Sequence, residues 1–139
     1  MSYTETSARL THSAVLKMLD AAVEEATGMG QPQCIVIVDA SGETQGSLRM
    51  SGAKFLSLRS ATAKARTSAS IGGPSANIPE DFRGAIAAAT GGAVTGLPGG
   101  LPIRIDGHLV GGIGVGSGSG DQDIAVAKAA LSAIGADIP

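Results

Sequence analysis

Apolar residues recur along this chain in two rhythms, one of about 3.6 residues and one of short continuous runs, and the switches between them mark out its elements. Val15, Met18, Leu19, Ala22 and Ala26 keep helical spacing while Lys17, Asp20, Glu24 and Glu25 face elsewhere. This predicts a helix to about Ala26, with Thr11 as N-cap, Leu10 and Val15 spaced as a hydrophobic staple, and Gly28 as its stop. Cys34–Val38 is β-branched and apolar throughout, the mark of a strand buried on both faces. The turn Asp39-Ala40-Ser41-Gly42 is too short for a crossover, so Thr44 to Met50 should return antiparallel.

Lys54 to Ile71 contains neither Pro nor Gly, is rich in Ala and ends at Gly72-Gly73-Pro74, which predicts a second helix. A shorter third helix is expected from Asn77 as cap, with Ile78, Phe82, Ala85, Ile86 and Ala89 as its buried stripe. After the tight loop Leu97 to Pro102, the pair Asp106-Gly107 between Ile103-Arg104-Ile105 and His108-Leu109-Val110 signals a second hairpin, continuing to Ile113 and Val115. Ser119 with Gln122 forms a capping box for a last helix whose inner face is Ile124, Ala127, Leu131 and Ile134. The order helix, hairpin, two helices, hairpin, helix implies an α+β fold, an antiparallel sheet flanked by helices rather than a doubly wound parallel sheet.

Composition narrows the picture. A length of 139 residues fits a single domain, 1–139, with residues 1–9 as a polar tail. Aromatics make up 2% and glycine supplies 21 residues, so the core must be built from small aliphatic side chains, with backbone lining much of any cavity. A net charge of −2, without a run of Lys or Arg, argues against a nucleic-acid groove. Cys34 is the single cysteine, and no His-x-x-x-His pair exists, so neither a disulfide nor a metal site is expected. No apolar stretch is long enough to span a bilayer and no signal-like segment opens the chain, so a cytoplasmic protein without a membrane partner is the expectation.

Candidate chemistry concentrates in three places. Lys64, Arg66 and Thr67 form a basic pair and a hydroxyl on the second helix; Lys64 shares a face with Ser60 and Ser68, and Arg66 with Arg59, so the two cations should not converge on one atom. Pro98-Gly99-Gly100 can bring bare amides to an oxyanion or carboxylate. Gly116, Ser117 and Ser119 lie between a glycine-rich strand and a helix N-terminus, where an anion could also sit. That stretch never satisfies Gly-x-Gly-x-x-Gly and has no Walker lysine, so it is not a nucleotide loop. Asp121 and Asp123 beside it are candidate general bases, although the helix dipole alone accounts for acids in a first turn.

Several of these segments, in this order and spacing, resemble the GlcG/HbpS family, which includes the C-terminal domain of PduO proteins. The resemblance rests on Leu10-Thr11, Val36-Ile37-Val38-Asp39-Ala40-Ser41-Gly42, Ala63 to Ala69, Pro98-Gly99-Gly100-Leu101-Pro102-Ile103, Gly107 to Val110, Gly111-Gly112-Ile113-Gly114-Val115 and Asp121-Gln122-Asp123, within roughly Leu10 to Ile134. It implies a profilin-like fold, a homo-oligomer, and a small-molecule ligand for which haem or a related tetrapyrrole is the candidate cofactor. Haem iron most often takes an axial imidazole, and here only His12 and His108 can supply one. Two further readings stay open: a metal-independent enzyme of a catabolic operon acting on a small carboxylated intermediate, with Lys64, Arg66, Asp121 and Asp123 as its catalytic candidates, and an accessory subunit with no ligand of its own. An anionic small molecule is the partner expected in the first two.

Overall fold

The computed structural model describes residues 1–139. In chain order its elements are α1 (His12–Gly28), β1 (Cys34–Asp39), β2 (Thr44–Arg49), α2 (Ser57–Ile71), α3 (Arg83–Ala89), β3 (Gly100–Ile105), β4 (His108–Gly116) and α4 (Gly120–Ala133). The strands form one antiparallel sheet in the order β2-β1-β4-β3. The class is α+β, as the alternation of helices and hairpins predicts.

Both faces of the sheet are covered, which explains the unbroken apolar run of β1. Ile35 and Ile37 join Ile103, Ile113 and Val115 on one face, beneath Met18 and Ala22 of α1 and Val126 and Leu131 of α4. Cys34, Val36 and Val38 point the other way and meet Ala61, Ala65 and Ala69, the small-residue stripe of α2. On that face Val36 and Val38 lie beside Gly114 and Gly112 of β4. A Cβ at either glycine would run into α2 backbone at Ala61 or Ala65, so their lack of a side chain lets the helix rest directly on the sheet. Pro102 lies on the edge strand β3, where a missing ladder donor is tolerated.

The turns have identifiable chemistry. Asp39 Oδ1 accepts hydrogen bonds from the Ser41 and Glu43 amides at 2.8 and 3.0 Å, closing the first hairpin. Thr11 caps α1 by accepting from the Ala14 amide, and Ser119 with Gln122 forms the full capping box of α4. No helix is long and apolar enough to cross a membrane.

Four expectations require correction. α1 continues through Gly28, and the left-handed residue beyond it is Gly30. α2 begins at Ser57, because Lys54 to Leu56 form a turn whose first amide donates to Ser117 Oγ. β3 starts at Gly100, inside the segment expected to be a loop. Asn77 caps nothing: Pro74 and Pro79 each open a 3-10 turn, Ser75–Asn77 and Glu80–Phe82, and α3 follows as only seven residues. Pro79 holds Ile78 in an extended conformation, which stops a helix from running through. The supposed buried stripe of α3 is therefore largely open. Ile78 is buried, but Phe82 is 63% exposed, and the stripe lines an apolar groove of about 380 Å³.

Candidate functional site

Lys64 and Asp123 are brought together, although they are 59 residues apart. Lys64 projects from α2 toward the Val115 end of β4, and Asp123 from the first turn of α4, so the pair links the two helical layers at the end of the sheet opposite the hairpin turns. Lys64 Nζ donates to Asp123 Oδ2 at 3.1 Å and to the Val115 carbonyl at 2.8 Å, and both side chains are buried. Asp123 Oδ1 accepts from the Gly118 amide at 3.1 Å. Burial pushes the Asp123 carboxyl above its ordinary value; the charge and hydrogen bond of Lys64, the Gly118 amide and the neighbouring Gln33 amide pull it back without cancelling that effect.

Gln33 sits fully buried next to this carboxylate, yet neither its Oε1 nor its Nε2 makes a hydrogen bond of good geometry. Nothing in the local sequence signals its part in the cluster. Gly99, with φ at 117°, lies against the same pair: a Cβ there would be 2.9 Å from Asp123 Cβ and 3.2 Å from Lys64 Nζ. Only glycine leaves room for the ion pair at this point.

Several amides around the expected anion sites are engaged within the protein. Gly100 N–H donates to Ser75 Oγ at 2.9 Å, and Ser75 in turn donates to the Leu97 carbonyl. Around the start of α4, Gly118 N–H donates to Asp123, Ser119 N–H to Gln122 Oε1, and Gln122 N–H to Ser119 Oγ. Ser117 holds a positive φ of 96°, uncommon for a residue with a side chain, while its Oγ accepts from the Lys54 amide. Gly116 is buried under the first turn of α2, Pro98 packs on Gly120, and Asp121 is exposed in the first turn of α4. Thr67 is buried, donating to the Ala63 carbonyl and accepting from the Thr95 amide, so it fastens residues 93–95 over α2.

Arg66 does not join this cluster. It is exposed on the outer face of α2, near Gly42 of the first hairpin. The two cations of the Lys-Ala-Arg-Thr segment thus diverge, as their spacing predicts. Cys34 is buried, and burial raises its thiol above the ordinary value against a smaller opposing effect of Arg49.

The histidines lie apart from both. His12 is the first residue of α1 and is exposed. His108 opens β4 at the hairpin end of the sheet and lines a cleft of about 480 Å³. One wall is the N-terminal segment with Arg9 and Leu10, another is the β1–β2 turn with Asp39 and Ser41, and the floor is His108 to Val110. Gln45 Nε2 donates to the Leu10 carbonyl at 3.0 Å, so β2 pins the segment that forms the first wall. Sequence context places Arg9 in the polar tail, and only this pairing reveals it as part of a cleft. No group of three or more His, Cys, Asp or Glu side chains comes together as a metal site.

A four-stranded antiparallel sheet packed between helices, open at its hairpin end, defines the structural class. A family model described as haem degrading protein HbpS-like matches residues 10–132, and the chain belongs to that family. Streptomyces reticuli HbpS, solved as a double mutant, is similar at 34% identity and a TM-score of 0.83, over 93% of this chain and 89% of that one. PduOC, solved as its haem complex, is similar at 28% identity and a TM-score of 0.87, over 94% and 99% of the two chains. Klebsiella pneumoniae ORFY aligns over 97% of each chain with a TM-score of 0.92 and 23% identity, which bears on the fold alone. No match is found among curated proteins.

Proposed function

We propose that this protein binds haem or a closely related tetrapyrrole in the cleft at the hairpin end of the sheet. The observation that carries the reading is the exposed His108 imidazole lining that cleft, in a chain similar over nearly its whole length to a protein solved with haem. The residues fit such a group by chemistry: His108 supplies a nitrogen donor for iron, Arg9 a cation for a carboxylate substituent, and Ala8, Ala40 and Leu109 apolar surface for the macrocycle. Bound iron would supply the redox and ligand chemistry, while this chain's own groups orient the ring and neutralise its anionic edge.

The Lys64–Asp123 pair belongs to a different role in this reading. It is buried, and its partners are all within the protein, so it positions α2 and α4 rather than meeting a ligand. The homo-oligomer implied by the family resemblance is part of the proposal, supported by the open apolar face of α3.

Titration with hemin tests the reading. The expected result is a saturable change in the Soret band at one haem per chain, lost in His108→Ala; a non-saturating, linear response contradicts it.

A further inference from the structure

The outer face of α2 carries a second cationic feature that the haem reading does not use. Arg59 and Arg66 are two helical turns apart, about 10 Å along the axis, and line one cavity of about 350 Å³. Arg66 also lines an adjoining cavity of about 250 Å³ that reaches Ser41 and Gly42 of the first hairpin. The two cavities form a trough between α2, the first hairpin and the segment Thr90 to Val94.

Three features make the trough a site rather than a solvated helix face. Neither guanidinium is engaged: the Lys64–Asp123 pair is the protein's single salt bridge, whereas Arg83 and Arg104 are tied to backbone carbonyls at Ile78 and Gly72. No Asp or Glu lines either cavity, although the chain as a whole carries a net charge of −2. The walls are held in place, since Gly92 N–H donates to the Ala87 carbonyl at 2.7 Å and Thr67 binds the Thr95 amide. Gly42, whose φ of 82° suits glycine in the hairpin turn, lies directly beside the Arg66 side chain.

Leu58, Ala93 and Val94 contribute apolar surface beside the charges. We propose that this trough binds an elongated dianion, two carboxylates joined by an aliphatic spacer, with one carboxylate on Arg59 and the other on Arg66. A guanidinium matches a carboxylate in planar, paired hydrogen bonds, and the spacer covers apolar surface that a compact polyanion would leave wet. The site is separate from the His108 cleft, which lies on the other side of the turn at Ala40 and Ser41.

Isothermal titration calorimetry with octanedioate, an unbranched diacid of matching reach, provides the test, with octanoate as the single-carboxylate control. Saturable binding of octanedioate is expected, weakened about tenfold in Arg59→Gln and in Arg66→Gln, with octanoate binding to the unaltered protein as weakly as the diacid binds to either variant. Both arginines are exposed and unpaired, so thermal unfolding of the unliganded variants should match the parent. The proposal is overturned if octanedioate fails to saturate the protein, if octanoate binds equally well, or if neither substitution changes the affinity.

Discussion

Lys64 and Asp123 show how much depends on one residue's direction. Burying either charge alone costs several kcal/mol, and only their mutual attraction with the Val115 and Gly118 backbone groups makes the pair tolerable. Because burial raises the Asp123 carboxyl above its unfolded value, the native state binds more protons than the unfolded chain between the two values. This group's contribution to stability is therefore full below the unfolded value and declines as pH rises through the folded one. Lys64→Met removes the strongest opposing influence, so the folded value climbs further and the window widens. Urea unfolding should show a loss of about 3–5 kcal/mol at pH 7 and a clearly smaller loss at pH 4, where Asp123 is nearer neutral. An equal loss at both pH values would contradict this account.

The inward turn of Lys64 is not legible in the sequence. Arg66 shares its alanine-rich surroundings and points out, and periodicity tells only that the two differ in direction. Asp123 is equally camouflaged, since the dipole argument that suffices for exposed Asp121 would suffice for it too. The divergence of the two cations, by contrast, follows from helical geometry alone.

Elements whose periodicity agrees with their flanking signals are legible: α1, α4 and both hairpins come out of spacing, caps and turn residues, although the core face of α4 is Val126, Ala127, Ala130 and Leu131 and leaves the expected Ile124 outside it. Glycine-rich β4 is harder, because a repeated glycine reads equally as a loop or as a surface awaiting a helix. The column at Gly112 and Gly114 is the latter, and its partner is the alanine stripe of α2. Gly114→Ala should therefore cost more than about 2 kcal/mol in urea unfolding, since the Cβ meets rigid helix backbone; a change within about 0.5 kcal/mol would show that the layers can part freely. The third helix is misread for a local reason. Its hydrophobic spacing is real, but prolines at 74 and 79 shorten it and leave its apolar stripe facing out.

At the scale of the whole molecule, the open stripe of α3 and the cleft at the hairpin end are, beside the arginine trough, surfaces that a folded single chain leaves available. If the stripe is where copies meet, light scattering should give a mass above the 13.6 kDa of one chain, and Phe82→Asp should reduce it to that value. An unchanged mass in the variant would exclude this face. The cleft is only partly legible, because the sequence identifies His108 and the turns but assigns Arg9 to a tail and Leu10 to its junction with α1. Their role emerges when Gln45 of β2 holds the Leu10 carbonyl.

The measurement that bears most directly on the functional account is a parallel hemin titration of the parent protein, His108→Ala and His12→Ala. His12 is exposed on α1 but does not line the cleft, so it serves as a matched control. The account predicts a saturable Soret change in the parent and in His12→Ala, lost in His108→Ala. Retention of that change in His108→Ala, or its loss in His12→Ala alone, would contradict it.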